Sequence, residues 1–162
     1  MTKFLLSLHV VAAILAIGPV TVAASMFPRS ARAALAEPAD PRATASVGTL
    51  HRITRVYAIL GIFVPAFGLA TAMRLGVLGD GWLLSSIALT ALAAAVLIGA
   101  VLPGQRRLLG RIEAARAAGA DPDPADGRRQ AGMLGAVSGV FASLWVVVTV
   151  LMIVRPGSTT GA

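Results

Sequence analysis

Four long apolar stretches dominate the chain, at 4–25, 56–73, 82–102 and about 132–154, and no Asp, Glu, Lys or Arg interrupts any of them. Each holds about 18 to 24 residues, which at a rise of 1.5 Å per residue is enough to cross a hydrocarbon core about 30 Å thick. Because that core offers no water to backbone groups, only helices suit these stretches. The pattern predicts an all-α polytopic membrane protein, a single domain folded as a four-helix bundle, with helices at about 4–25, 50–74, 82–102 and 131–154.

Composition supports a membrane protein, since 57% of the 162 residues are hydrophobic and only 13% are charged. The absence of cysteine excludes disulfides, thiolate metal sites and cysteine nucleophiles. In a soluble protein the net charge of +7 would suggest nucleic acid, but here the basic residues lie between apolar stretches and aromatics amount to only 5%. Anionic lipid is therefore the expected partner, and nucleic acid is not expected.

Basic residues are concentrated in two connectors, 26–49 and 103–130. Eleven of the fourteen Lys and Arg residues lie in these connectors or directly beside them. Since basic loops favour the cytoplasmic side, we expect both connectors to be cytoplasmic loops and both termini to lie outside. The first stretch, Phe4 to Ser25, also resembles a cleavable secretion signal. Cleavage would send the arginines outward, so we interpret this stretch as a retained helix.

His9 lies within the first predicted helix, about one and a half turns from its outer end. It shares a helical stripe with Ala12, Ala16 and Val20, and bulkier residues cover the opposite surface. The histidine is therefore expected to face a neighbouring helix. Two interpretations stay open: an interhelical hydrogen bond to an outer-half hydroxyl such as that of Thr71 or Ser85, or a role as cofactor ligand or proton relay.

A second histidine begins the segment His51-Arg52-Ile-Thr-Arg55 at the inner end of the second helix. Helix rise places it about 24 Å from His9 along the membrane normal, so the two cannot share one metal or one haem. His51, Arg52 and Arg55 lie close to one another on the helix and can hold a lipid phosphate or the acidic headgroup of a cofactor. The alternative is simple anchoring at the membrane interface.

The connector at 103–130 contains a short amphipathic pattern. Leu108, Leu109 and Ile112 share one face of the segment Gln105 to Ala118. The pattern predicts a basic helix lying on the inner membrane surface, with lipid headgroups contacted by Arg106, Arg107 and Arg111.

Helix breakers and small residues predict local features of the bundle. Pro19 and Pro65 remove backbone donors from the first and second helices and are expected to kink both. Gly135, Gly139 and Ser143 recur at four-residue spacing in the fourth helix, which favours close helix packing. At the outer turn, Asp80 is expected to pair with Arg74. No phosphate-binding loop, catalytic serine elbow or paired metal-ligand motif occurs in the sequence.

Three short motifs carry a resemblance to known families. Leu8-His9-Val10-Val11, Phe27-Pro28-Arg29 and Leu50-His51-Arg52 resemble a bacterial family of small predicted integral membrane proteins, a domain of unknown function. More distantly, the early histidine and the Pro-Arg pair resemble HemJ-type protoporphyrinogen oxidases and copper-resistance D-type membrane proteins. The resemblance implies a four-helix core in a bacterial inner membrane. In the HemJ-type family the first histidine ligates haem together with a later lysine, and that role would fall on His9; Lys3 is the only lysine here.

These observations leave three functions open. The first is a non-enzymatic membrane component that binds lipid, another membrane protein or a second copy of itself. The second is a redox protein that binds haem or quinone through His9. The third is a transporter of copper or a small solute.

The predicted orientation can be tested with reporters fused to the carboxyl terminus. Alkaline phosphatase, which is active only outside the cytoplasm, is expected to be active there, and a fluorescent protein that matures only in the cytoplasm is expected to be dark. The reverse result, or a mature amino terminus that starts after residue 23, would overturn the orientation.

Overall fold

The computed structural model describes residues 2–119 and 124–157, which are almost entirely helical and contain no strand. The helices are α1 (Thr2–Ala36), α2 (Pro41–Leu60), α3 (Phe63–Leu75), α4 (Gly81–Val96), α5 (Leu102–Ala118) and α6 (Pro124–Val154), and a π-helical turn (Leu97–Val101) joins α4 to α5. The predicted all-α fold class is therefore confirmed.

Four segments are long and apolar enough to cross a membrane: Thr2–Ala36, Pro41–Leu75, Gly81–Ala118 and Ala125–Val154. The second segment combines α2 and α3, and the third combines α4, the π-helical turn and α5. The prediction of a polytopic protein with four transmembrane helices is confirmed. The side of the membrane on which the termini lie stays a prediction.

The helices extend well beyond the apolar stretches, so the predicted loops at 26–49 and 103–130 are mostly helical. α1 continues past Ser25 to Ala36, and α2 begins at Pro41 with Asp40 as its N-cap. In the second connector α5 runs to Ala118, and residues 120–123 lie outside the described residues. The loop prediction was wrong because hydropathy marks where a helix leaves the hydrocarbon, whereas the helix itself ends at its cap.

The helical extensions pack into a core of their own. We call this end of the bundle, formed by residues 26–55, 102–119 and 124–131, the basic end, and the opposite end, with residues 2–8, 76–82 and 155–157, the terminal end. The core of the basic end is centred on Phe27, which is completely buried, and brings together α1, α2, α5 and α6. The four helices therefore stay packed against one another after their apolar stretches end.

The apolar face of α5 lies in this core instead of on a membrane surface. Leu108 and Ile112 are each only 1% exposed and pack beside Phe27 and Val47. The predicted amphipathic helix is therefore present, but its predicted position on the membrane surface is wrong. The reason is that α1 and α2 are long enough to present their own apolar residues to α5, which covers that face more completely than headgroups would.

Two prolines account for the irregular turns in the bundle. α2 ends at Leu60 and α3 starts at Phe63, so the helix breaks four residues before Pro65, where the proline ring meets the carbonyl of the preceding turn. The expected distortion of the second helix is therefore confirmed, whereas α1 continues through Pro19 as one helix from Thr2 to Ala36. The π-helical turn ends two residues before Pro103, and the backbone N–H of Leu102 bonds to the carbonyl of Leu97.

The π-helical turn also keeps the buried face of its helix aligned. Buried residues recur at four-residue intervals through Ala93, Leu97, Val101 and Gln105. In a regular α-helix this spacing would rotate the stripe by about 40° at each step. The wider turn compensates for that drift, so Gln105 still points into the protein.

The small residues of α6 divide between two surfaces. Gly135 faces Pro28 of α1, and a Cβ added at Gly135 would lie 3.7 Å from the proline ring. Gly139 and Ser143 are exposed and line a shallow apolar groove beside Leu89 of α4. Of the three small residues that were predicted to pack closely, only Gly135 therefore contacts another helix of the protein.

Candidate functional site

A polar cavity of about 480 Å³ opens between α2 and α5 at the basic end. Its lining combines two arginines with a histidine, two threonines, a carboxylate and a glycine: Thr44, Gly48, Thr49, His51, Arg52, Arg55 and Glu113. Six of these seven lie on α2, and Glu113 faces them from α5. We call this cavity the α2–α5 pocket.

Helical spacing along α2 brings these side chains to one surface. Thr44, Gly48, Arg52 and Arg55 follow one another at intervals of three or four residues, which places them on the same face of the helix. Gly48 contributes no side chain, and a Cβ added there would meet no atom within 4 Å. The glycine therefore leaves the middle of the pocket open.

The charged groups of the α2–α5 pocket have no ionic partner in the described part of the chain. Arg52, Arg55 and Glu113 are exposed, and none of them makes an ion pair there. Arg111 is different, because its guanidinium lies 2.8 Å from the carboxylate of Asp126. The two pocket arginines thus keep all their donors available for a ligand.

Thr44 supplies a buried hydroxyl that has no partner. Its side chain is only 8% exposed, and its Oγ1 makes no hydrogen bond. Elsewhere in α2, Thr49 and Thr54 each donate to the carbonyl four residues earlier, at 2.9 Å. Ser138 Oγ and Trp145 Nε1 are likewise buried and unpaired in the described residues, and both lie outside the pocket, so the Thr44 hydroxyl does not by itself indicate a ligand.

A hydrogen-bonded network fixes the histidine of the α2–α5 pocket. The Thr54 hydroxyl donates to the carbonyl of Leu50, so its oxygen accepts from Nε2 of the buried Gln105, at 3.3 Å. The amide oxygen of Gln105 then faces His51 Nδ1 at 3.1 Å. Because that oxygen only accepts, Nδ1 must donate, and Nε2 is left as the free ring nitrogen.

Gln105 is the member of this network that the sequence analysis did not single out. It is completely buried, although it begins a helix rich in arginine. A signal was present, because Gln105 lies three residues before Leu108 and hence on the apolar face of α5. A polar residue on a buried face generally has a hydrogen-bond partner, which here is His51 together with Thr54.

Of the six residues predicted to bind lipid headgroups, the structure brings only three together in one pocket. His51, Arg52 and Arg55 line the α2–α5 pocket. Three others lie outside it: Arg106 and Arg107 are exposed on α5, and Arg111 is paired with Asp126.

His9 faces a neighbouring helix, as its stripe predicted, but its partner is a backbone group. Its Nδ1 lies 2.8 Å from the carbonyl oxygen of Val64 in α3. The expected hydroxyl partners are engaged within their own helices, since Thr71 donates to Phe67 and Ser85 to Gly81. Expecting a hydroxyl was therefore wrong. A carbonyl only accepts, so Nδ1 carries the proton and Nε2 alone is free for any ligand.

The two histidines are not brought together, because His9 contacts α3 and His51 contacts α5. Among the described residues no group of three or more His, Cys, Asp or Glu side chains is placed to hold a metal ion. A cofactor role for His9 stays a prediction.

Another predicted contact at the terminal end is replaced by a different one. Asp80 does not pair with Arg74; its carboxylate accepts from the indole nitrogen of Trp82, at 2.9 Å. Arg155 lies over the Trp82 ring, 5.5 Å from its centre. Trp82 lies only two positions from Asp80, so its indole N–H reaches the carboxylate directly. Through its contact with Arg155, Trp82 also connects the end of α6 to the start of α4.

Replacing Gln105 with methionine tests the network beside the α2–α5 pocket. The change keeps a similar volume but leaves His51 and Thr54 without their partner, so we expect a loss of about 1–3 kcal/mol in stability. The measurement is the thermal unfolding midpoint in detergent. The control, Gln130→Met, removes an amide that bonds to an exposed carboxylate. Equal midpoints for the two variants would contradict the structural role of Gln105.

Replacing Gly68 with alanine tests the contact between α1 and α3. The added Cβ would lie 2.9 Å from Cε1 of His9, so the ring must leave the Val64 carbonyl. We expect a loss of about 1–3 kcal/mol, seen as a lower unfolding midpoint. Gly18→Ala is the control, because its Cβ would meet nothing within 4 Å. In a His9→Ala background the cost of Gly68→Ala should disappear; a cost that persists there would contradict the contact.

Comparisons with known proteins place the chain in a family. Searches of curated proteins and of solved structures each found no significant match. A family model described as "Predicted integral membrane protein (DUF2269)" matches residues 3–156, which cover the α2–α5 pocket and, apart from Thr2, the four segments long and apolar enough to cross a membrane. The chain therefore belongs to this family of predicted integral membrane proteins.

Proposed function

We propose that the protein is a non-enzymatic membrane component that binds the phosphate of a lipid headgroup in the α2–α5 pocket. One observation carries this proposal: two arginines, Arg52 and Arg55, line the cavity and make no ion pair within the described residues. Arginine presents several N–H donors in a planar fork that matches phosphate oxygens.

The position of the pocket along α2 favours a lipid over a soluble anion. Arg55 is followed directly by the apolar stretch that begins at Val56. The arginines therefore lie at the depth where the hydrocarbon core ends and the phosphates of the bilayer begin. A lipid in the surrounding leaflet can present its phosphate there without leaving the membrane.

The network around His51 supports a preformed wall of the pocket. Gln105 and Thr54 are completely buried and hold the imidazole ring in one orientation. Because Nδ1 donates to Gln105, Nε2 of the neutral ring is an acceptor, so His51 shapes the pocket while the arginines supply the donors for a phosphate.

The proposal includes the predicted orientation, with the basic end at the cytoplasmic face of a bacterial inner membrane. Ten of the thirteen arginines lie on the helices of that end and are exposed. The cytoplasmic leaflet is rich in anionic lipid, and juxtamembrane basic residues gain about 1 kcal/mol each near such a surface. These residues provide general attraction, and the α2–α5 pocket provides a specific site within it.

Native mass spectrometry of the detergent-purified protein tests the site. Wild-type protein is titrated with phosphatidylglycerol, phosphatidylethanolamine or diacylglycerol of identical acyl chains. We expect the first adduct to form with both phospholipids and not with diacylglycerol, which lacks the phosphate. The double variant Arg52→Gln/Arg55→Gln should bind phospholipid about tenfold more weakly, corresponding to about 1.4 kcal/mol.

The matched control is Arg106→Gln/Arg107→Gln, which removes the same charge from exposed positions of the same end outside the pocket. It should leave the first adduct nearly unchanged. If both double variants weaken binding equally, the attraction is diffuse and the proposed site is wrong.

A further inference from the structure

Glu113 is the one acidic side chain that lines the α2–α5 pocket, and a phosphate alone does not explain it. The carboxylate is exposed and makes no ion pair with the arginines opposite, within the part of the chain that the structure describes. Beside a bound phosphate it would be repulsive. A ligand that uses the whole pocket therefore needs a positive group as well as a negative one.

The antiparallel course of α2 and α5 separates the two charges along the pocket. The contact between His51 and Gln105 marks a common level on the two helices. Glu113 lies eight residues beyond Gln105, about 12 Å further from the apolar stretches at 1.5 Å per residue. The arginines lie at the membrane side of the pocket and the carboxylate lies at its far side.

Side-chain direction narrows this separation. Side chains on a helix lean toward its N-terminus. On α2 that direction leads from the arginines toward the level of Glu113, and on α5 it leads from Glu113 back toward the arginines. Arg52 and Arg55 lie one and four residues to the membrane side of His51, so their Cα atoms are about 14 to 18 Å from that of Glu113 along the helix axes, and side chains that lean toward each other shorten the gap that a ligand must bridge.

We propose that the α2–α5 pocket selects an aminophospholipid headgroup, with its phosphate at Arg52 and Arg55 and its primary ammonium at Glu113. This inference rests on the proposed function and names the ligand class of the same pocket. The ammonium supplies N–H donors for the carboxylate, whereas a quaternary choline headgroup has none. A headgroup with a phosphate and no cation leaves Glu113 unmatched.

The order of charges in the pocket matches that of such a lipid in a bilayer. The phosphate of a glycerophospholipid lies next to the acyl region, and the ammonium lies further out. The pocket has its arginines beside the apolar stretch and its carboxylate beyond them. Free phosphoethanolamine carries the same two charged groups as the lipid headgroup. The order of charges in the pocket relative to the apolar stretch favours the lipid over this free compound.

A competition measured by native mass spectrometry tests the selectivity. Wild-type protein is offered phosphatidylethanolamine, phosphatidylglycerol and phosphatidylcholine with the same acyl chains at equal concentrations. We expect phosphatidylethanolamine to be preferred about fivefold over each of the others, as an added partly exposed ion pair would give. Glu113→Gln should abolish this preference, so that the three phospholipids bind about equally. The control Glu37→Gln removes an exposed acid outside the pocket and should keep the wild-type preference.

The outcomes separate this inference from the proposed function. If wild-type protein binds the three phospholipids equally while Arg52→Gln/Arg55→Gln still weakens binding, the selectivity is wrong and the phosphate site stands. If a preference exists but survives in Glu113→Gln, the assignment of the ammonium is wrong. If no phospholipid binds better than diacylglycerol, both proposals fall. Free phosphoethanolamine that displaces the lipid at equal concentration would overturn the choice of a lipid.

Discussion

The structure depends on one constraint, that a hydrocarbon core accepts neither free backbone polar groups nor unpaired charges. Four apolar segments satisfy their backbone bonds as helices, and every arginine lies outside the uninterrupted apolar stretches. Even His9, the ionisable residue placed within a stretch, is tied to a backbone carbonyl of α3. The same constraint gathers eleven basic residues at one end and makes that end chemically distinct from the other.

The helices also continue beyond the hydrocarbon core, and a polar site lies between these extensions. α1, α2, α5 and α6 share a core around Phe27, which keeps α2 and α5 side by side where their surfaces become charged. Two such helices can hold a cavity at the depth of lipid phosphates without exposing it to acyl chains. The His51, Gln105 and Thr54 network lies between this core and the α2–α5 pocket, so the packing that stabilises the basic end also orients the proposed binding groups.

Local irregularities contribute to this arrangement. The π-helical turn before Pro103 keeps a single buried face through α4 and α5 and so directs Gln105 toward α2. The second segment is interrupted between α2 and α3, four residues before Pro65. Both prolines were visible in the sequence. The local backbone that accommodates each of them depends on what the neighbouring helices require, which hydropathy does not report.

By itself the sequence determined the fold class, the number of membrane-crossing helices and the concentration of arginine in two connectors, because these follow from segment length and charge alone. It also identified His51, Arg52 and Arg55, which lie close together on a single helix. Only the tertiary structure decided that Glu113 and Gln105 face them, that Thr44 lacks a partner, and that Arg111 is committed to Asp126. The physical reason is that helical periodicity relates residues within one helix, whereas a pocket between helices depends on their relative rotation and axial alignment, and packing of the core sets both.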